Sequence, residues 1–147
     1  MSLKDWSEFG WVKPHTPRPR EIADLLASAD RNLGDSQVPG LSIDGRYGFA
    51  YQGILQAAAA ALAASGYRAE RDQHHHRILK SLRFTVGLDG DTVDRLDKYR
   101  KKRNQGVYEA VGVVSEQEVS EIVRVAKDLR VRIEDWLKDK HPDLMPE

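Results

Sequence analysis

A basic segment in the second half of the chain, residues 100–108, has the residue types of an anion-binding site. It reads Arg-Lys-Lys-Arg-Asn-Gln-Gly-Val-Tyr and follows apolar residues at helical spacing, Val93, Leu96 and Tyr99. The same spacing calls for aliphatic side chains in the next turn, where the chain has Arg100, Arg103 and Asn104 instead. Because a buried unpaired charge is costly, these arginines must either meet carboxylates or line a cleft.

The spacing of this segment favours phosphate chemistry. Arg100, Asn104 and Tyr108 are four residues apart and share one face of a helix, and Arg103 lies beside them. Guanidiniums offer paired planar donors that match a phosphodiester or a nucleotide phosphate. Lys101 and Lys102 belong to the same basic run. We therefore expect this helix face to bind RNA or a nucleotide.

An alternative explanation of the arginines is an internal salt-bridge network. In that case Arg100 and Arg103 would pair with acidic residues elsewhere in the chain, for example Asp24, Asp30 and Asp94. Runs of charge are often solvated or paired in this way. The protein would then be a structural helical bundle without a binding site.

Three consecutive histidines, His74 to His76, begin another predicted helix. Neighbouring helical residues diverge by about 100° and do not converge on one metal ion. The simplest expectation is that one of them packs or hydrogen-bonds at the helix end while the others are solvated. The alternative is that one of them binds a metal ion together with a ligand from elsewhere in the chain. Neither a metal nor a cofactor is predicted.

The composition excludes several classes of protein. The 147 residues include 23 basic and 23 acidic side chains, so no overall positive field indicates nucleic-acid binding, and any anion site is local. The absence of cysteine excludes disulfides and thiolate nucleophiles. No run of the sequence is long and apolar enough to cross a bilayer, and no signal peptide is recognisable. We expect a cytoplasmic protein without membrane partners.

The hydrophobic periodicity predicts an all-α fold, an antiparallel bundle of about five helices in one domain. The predicted helices are Arg20–Leu33 with Gly34 as its stop, Ile43–Ser65, Asp72–Val86, Thr92–Gln105 capped by Asp91, and a last helix from a capping box at Ser115 to Lys140. Residues 107–114 are expected to connect the last two. The bundle spans residues 20–142, between an extended N-terminal arm (1–19) and a C-terminal tail (143–147).

Two further features suggest how the elements pack. Prolines at positions 14, 17 and 19 favour an extended arm, and its aromatic residues are expected to pin it to the bundle or, alternatively, to contact a partner chain. The second helix contains three glycines, each of which costs about 1 kcal/mol in a helix interior. They indicate a close approach by another helix or by a ligand: Gly45, Gly48 and Gly53.

The run Tyr99–Tyr108, placed before the last long helix of an all-α domain, resembles the signature of the HEPN superfamily (higher eukaryotes and prokaryotes nucleotide-binding). That signature is an arginine, often followed by asparagine, with a histidine four to six residues later. The chain also resembles uncharacterised bacterial HEPN-like proteins in its segments Asp44–Tyr51, Gly66–Arg68 and His74–His76. The resemblance covers the chain from about Pro14 to Pro142.

The resemblance implies a domain that dimerises so that the motifs of two protomers share one cleft. It also implies a toxin–antitoxin-like module, in which such domains are metal-independent endoribonucleases or serve a partner nucleotidyltransferase. Carried over by residue, Arg103, Asn104 and Tyr108 occupy the catalytic positions. Arg100, Lys101, Lys102, His75 and His76 would contact the RNA or nucleotide.

Tyr108 departs from the family pattern because it stands where the histidine is expected. Histidine exchanges protons near neutral pH, whereas the ordinary pKa of tyrosine is about 10. The sequence therefore leaves two alternatives open beside the structural bundle. One is a nuclease in which a member of His74–His76 replaces the missing imidazole, and the other is a non-catalytic module that binds a nucleotide or a partner enzyme.

Overall fold

Helices form most of the chain in the computed structural model, which describes residues 1–71, 74–108 and 114–145, leaving the side chains of 105–108 aside. The α-helices in chain order are α1 (Leu3–Glu8), α2 (Pro19–Asp35), α3 (Ile43–Ala64), α4 (His74–Lys80), α5 (Gly90–Tyr108) and α6 (Glu116–Lys140). Short 3-10 segments follow α4 and α6, at Ser81–Arg83 and Pro142–Leu144. The predicted all-α helical bundle is confirmed.

Helix α3 is the central element and packs against α2 on one side and α6 on another. Its alanine-rich half has almost no side-chain bulk, so it is buried on nearly every face. Where it crosses α2, a Cβ on Gly53 would stand 3.2 Å from Leu33 Cγ and 3.3 Å from the carbonyl oxygen of Ala29. The close helix crossing predicted from the glycines is therefore present at Gly53.

The N-terminal segment is more structured than the extended arm expected from its prolines. It begins with α1 and continues into strand β1 (Val12–Pro14), which pairs antiparallel with β2 (Tyr67–Ala69). Trp6 is buried, with its ring 5.1 Å from that of Phe84. As expected, the aromatic residues fix this segment to the bundle. The two-stranded sheet was not predicted because each strand has only three residues.

Helix boundaries differ from the prediction at several points. Helix α2 continues through Gly34, and α5 continues through Gly106 to Tyr108. The cap of α5 is Asp89, whose carboxylate accepts a hydrogen bond from the Thr92 backbone at 2.9 Å, and not Asp91. The predicted third helix is split into α4 and a 3-10 turn, and its expected start at Asp72 lies outside the described residues, as do 109–113 and 146–147.

Helix α6 begins as predicted. The Ser115 side chain accepts a hydrogen bond from the Glu118 backbone at 3.1 Å, and the Glu118 carboxylate accepts one from the Ser115 backbone at 3.0 Å. This reciprocal pair satisfies two backbone donors that the first turn would otherwise leave open. Among the helices of the described ranges, none has the length and apolar character needed to cross a membrane.

Candidate functional site

The basic segment of α5 contacts three different parts of the molecule. Its first arginine, Arg100, is held by a buried carboxylate: Arg100 Nε donates to Asp97 Oδ1 at 2.7 Å. The same oxygen accepts from His76 Nδ1 at 3.0 Å, and Lys101 Nζ lies 3.7 Å from Asp97 Oδ2. Burial would raise the pKa of Asp97, but the hydrogen bonds from Arg100 and His76 outweigh it and lower this pKa to about 2.

His75, the residue before His76 on α4, faces α3. Its Nδ1 is 3.4 Å from the hydroxyl oxygen of the buried Tyr51. Burial lowers the pKa of His75, and His74 and the guanidiniums of Arg100 and Arg103 lower it further. Burial likewise raises the pKa of Tyr51, to about 12, against the opposing effect of the two arginines. At neutral pH the pair is therefore an uncharged imidazole and a phenol beside two cations.

Arg103 lies against α3 at a position without a side chain. A Cβ on Gly48 would stand 3.2 Å from Arg103 Nε, so the missing side chain of Gly48 makes room for this guanidinium. Within the described part of the chain, no carboxylate oxygen comes within salt-bridge distance of Arg103. The structure thus places an arginine without a described partner over a glycine, as expected if the glycine serves a site and not only helix packing.

A pocket of about 410 Å³ opens beside Arg103, between α3 and the end of α5. Lys102 also lines it and lies 3.4 Å from Glu118 at the start of α6. Asp44 lines the pocket as well, and its Oδ1 is buried and has no hydrogen-bond partner among the described residues. A volume of a few hundred Å³ is enough for a small ligand the size of a nucleotide.

The salt-bridge alternative is wrong about the partners. Asp24, Asp30 and Asp94 pair with other cations, namely Arg20, Arg130 and Lys80. Arg100 is paired as that alternative required, but its partner is Asp97 on the same helix. For Arg103, the described residues provide no such pairing.

The structure brings together Arg100, Arg103, His75 and His76, which the sequence placed in the site. Lys101 and Asn104 are exposed on the outer side of α5, and Lys102 lines the pocket. The backbone of Tyr108 belongs to α5, but its side chain lies outside the described residues. Two histidines have partners where one was expected, and His74 is the exposed member.

Three residues of the site were not predicted: Tyr51, Asp97 and Asp44. Tyr51 falls at a position where the hydrophobic period of α3 predicts a core residue, and it is buried. A signal for Asp97 was present, since it is the one acidic residue in the run 95–103 and stands three residues before Arg100. Asp44 stands in the first turn of α3, where a carboxylate complements the helix dipole, so its residue type gave no separate signal of a site.

The fold and this cluster together define an all-α bundle with a pocket lined by Lys102 and Arg103, and with a neutral histidine on the neighbouring helix α4. No protein-family model matches the chain, and no curated protein shows significant similarity to it. Membership of the HEPN superfamily therefore stays a prediction from the sequence. In the described ranges, no three histidine or carboxylate side chains are grouped closely enough to hold a metal ion.

Proposed function

We propose that the protein is a HEPN-like domain that binds RNA or a nucleotide, with Arg103 as the principal phosphate ligand. The observation that carries the proposal is the position of Arg103 over Gly48 at the edge of a nucleotide-sized pocket. A half-buried guanidinium near apolar walls gains strength from the lowered dielectric, so an anion bound there would be held more firmly than at the surface.

The neighbouring cations have unequal roles in this proposal. Arg100 is neutralised by Asp97, so it adds shape and hydrogen bonding more than net charge. Lys102 is shared with Glu118 and remains able to turn towards an anion in the pocket. The described contacts therefore favour Arg103 as the group whose removal costs the most affinity.

Cleavage of RNA is a second step that His75 would make feasible. A neutral His75 whose Nδ1–H donates to the Tyr51 hydroxyl oxygen has its Nε2 lone pair free. Nε2 would take the proton of a ribose 2′-hydroxyl, and the 2′-oxygen would attack the phosphorus. The bond to the 5′-oxygen then breaks and a 2′,3′-cyclic phosphate remains. The 5′-oxygen takes a proton from a water molecule, and the hydroxide so formed takes the proton held on His75 Nε2, which restores the neutral imidazole. Arg103 would stabilise the negative charge on the phosphorane.

A non-catalytic binding module is the second candidate function. It is favoured by Tyr108, which stands at the position where the family pattern has its proton-transferring histidine. By the same resemblance we propose a homodimer and a nucleotidyltransferase partner within a toxin–antitoxin-like module. Light scattering of the purified protein at several concentrations tests the dimer directly.

The binding proposal is tested with Arg103→Ala against Arg95→Ala, an exposed arginine two turns earlier on α5. We expect Arg103→Ala to weaken binding of a fluorescent single-stranded RNA at least about tenfold, because a charge-assisted hydrogen bond contributes about 1.5–3 kcal/mol. Arg95→Ala should change the affinity less than about twofold. Equal losses in the two variants would show diffuse electrostatic attraction and refute a site at Arg103.

The cleavage step is tested separately with chelator-treated protein and a set of structured and unstructured RNAs. Cleavage should disappear in His75→Gln and persist in His74→Gln, because the His74 side chain is exposed. Intact RNA with the unmodified protein, together with normal binding, would reject the nuclease and leave the binding module in place.

A further inference from the structure

The pocket beside Arg103 is lined by side chains of opposite charge. Arg103 and Lys102 come from α5, and Asp44 comes from the first turn of α3. Gly45 and Gly48 also line the pocket, and a Cβ on Gly48 would stand 3.2 Å from Arg103 Nε, so this glycine lets the guanidinium lie close to α3. A ligand that fits this arrangement has an anionic part and a separate part with hydrogen-bond donors.

Among the side chains that line the pocket, Asp44 is the most informative, because one of its oxygens is buried without a hydrogen-bond partner in the described structure. Oδ1 of this carboxylate accepts no hydrogen bond within the described structure, and none of the described cations forms a salt bridge with it. Buried polar atoms are nearly always hydrogen-bonded, so an orphaned acceptor in a pocket wall indicates a donor supplied by a ligand. Lys102 and Arg103 line the same pocket without filling that role.

Among nucleobases, guanine best supplies the donors that a carboxylate needs. Its N1–H and N2–H groups are adjacent and point the same way, so both donate to one carboxylate. Adenine and cytosine place a ring acceptor beside their amino group, and uracil flanks its N3–H with two carbonyl oxygens. Each of these would bring a lone pair against the carboxylate.

Two more side chains of the pocket suit a base. Phe49 is half-buried and lines the wall, where its ring offers an aromatic face for stacking. Gln52 follows one turn after Gly48 and adds an amide that donates and accepts hydrogen bonds. Lys102 and Arg103, which line the same pocket, would then hold the phosphate of the same nucleotide.

We propose that this pocket binds a guanine nucleotide, free or within single-stranded RNA, with Asp44 reading the base and Arg103 and Lys102 holding the phosphate. The inference rests on the proposed function and gives it a base preference. It predicts that the preference and the phosphate affinity are carried by different residues, which makes the two claims separable by experiment.

The test is calorimetric titration of the full chain with GMP, IMP, AMP, CMP, UMP and ribose 5-phosphate. We expect GMP to bind at least about tenfold more tightly than AMP, in line with the discrimination that a good bidentate base contact provides. IMP, which lacks the N2 amino group, should fall between them. Competition between the trinucleotides UGU and UAU shows whether the pocket also accepts guanine within RNA. If GMP is preferred over AMP but UGU is not preferred over UAU, the pocket binds the free nucleotide.

Asp44→Asn should reduce GMP affinity to the level of AMP while ribose 5-phosphate binds as before. Asp91→Asn is the matched control, because Asp91 is an exposed first-turn residue of α5, as Asp44 is a first-turn residue of α3. Phe49→Leu keeps the inference testable should Asp44→Asn fail to fold. Phe49→Leu should lower the affinity for every nucleotide and leave the affinity for ribose 5-phosphate unchanged.

The outcomes separate this inference from the proposed function. Equal affinity for all four bases, or a GMP preference that survives Asp44→Asn, would overturn the guanine site while phosphate binding stands. Preferential binding of a free amine such as spermidine at Asp44 would overturn it as well. If the unmodified protein binds neither nucleotides nor RNA, both the guanine site and the proposed function are rejected.

Discussion

Replacing Gly48 by alanine should make the protein more stable and, if Arg103 binds phosphate as proposed, should weaken that binding. A glycine inside a helix costs about 1 kcal/mol relative to alanine, so the substitution favours α3 by roughly that amount. The new Cβ would stand 3.2 Å from Arg103 Nε, closer than most Cβ contacts, and something must move by a few tenths of an ångström. The atom that yields belongs to a long flexible side chain, so the cost of the movement is small.

The net gain in the free energy of unfolding is therefore expected to be about 0.5–1 kcal/mol, or a rise of about 2–4 °C in Tm. The displaced guanidinium loses part of its hydrogen bonding to a bound phosphate. A loss of about 1 kcal/mol corresponds to roughly fivefold weaker binding. Thermal unfolding followed by circular dichroism, and titration with ribose 5-phosphate, measure the two quantities.

Gly53→Ala provides the matched comparison on the same helix. There the new Cβ would meet Leu33 Cγ at 3.2 Å and the backbone oxygen of Ala29 at 3.3 Å. The backbone of α2 can make room only if the whole helix moves. We therefore expect Gly53→Ala to lower the free energy of unfolding by about 1 kcal/mol, after the gain in helix propensity is included. If Gly48→Ala destabilised the protein as much as Gly53→Ala, or left phosphate affinity unchanged, the assignment of Gly48 to the Arg103 site would be refuted.

Three further predictions concern stability. Because the pKa of Asp97 is lowered from 3.8 to about 2, this carboxylate contributes about 2 kcal/mol to the free energy of unfolding above pH 4, and the contribution is lost as the pH falls towards 2. Asp97→Asn should therefore lower the free energy of unfolding at pH 7 and reduce its dependence on pH between 4 and 2, as measured by urea unfolding. Trp6→Ala should cost about 3–5 kcal/mol in urea unfolding, since Trp6 is 6% exposed, and a loss below 1 kcal/mol would contradict its core role. Ser115→Ala should cost about 1 kcal/mol by removing the cap of α6, whereas Ser115→Asp should not.

The long helices were predictable because burial in them follows the hydrophobic period. The stripe that predicts α6 is the one that is buried, and α2 shows the same agreement. Gly106 misled the prediction because glycine lowers helix propensity without preventing helix formation, and α5 continues through it. The strands β1 and β2 could not be predicted, because three residues carry too little alternation to distinguish them from a loop.

A polar cluster on α5 was predictable from the sequence, but the residues that contact it were not. Arginines in the core stripe of α5 correctly indicated that this face needs polar partners. Their actual neighbours depend on how α4 and α3 cross α5, and the sequence pattern contains no information on that geometry. His75 and Tyr51 meet only because two helices converge, although they are 24 residues apart in the chain.

The pairing of β1 with β2 has a consequence for the order in which the protein folds. The paired residues Val12 and Ala69 are roughly 57 positions apart, so their contact closes a long loop and is expected after the local helices have formed. During synthesis the N-terminal aromatic residues leave the ribosome well before the strand and the helix they pack against. Since α4 follows β2 closely and carries His75, we expect the position of His75 to be fixed late, when the N-terminal strand β1 pairs with β2.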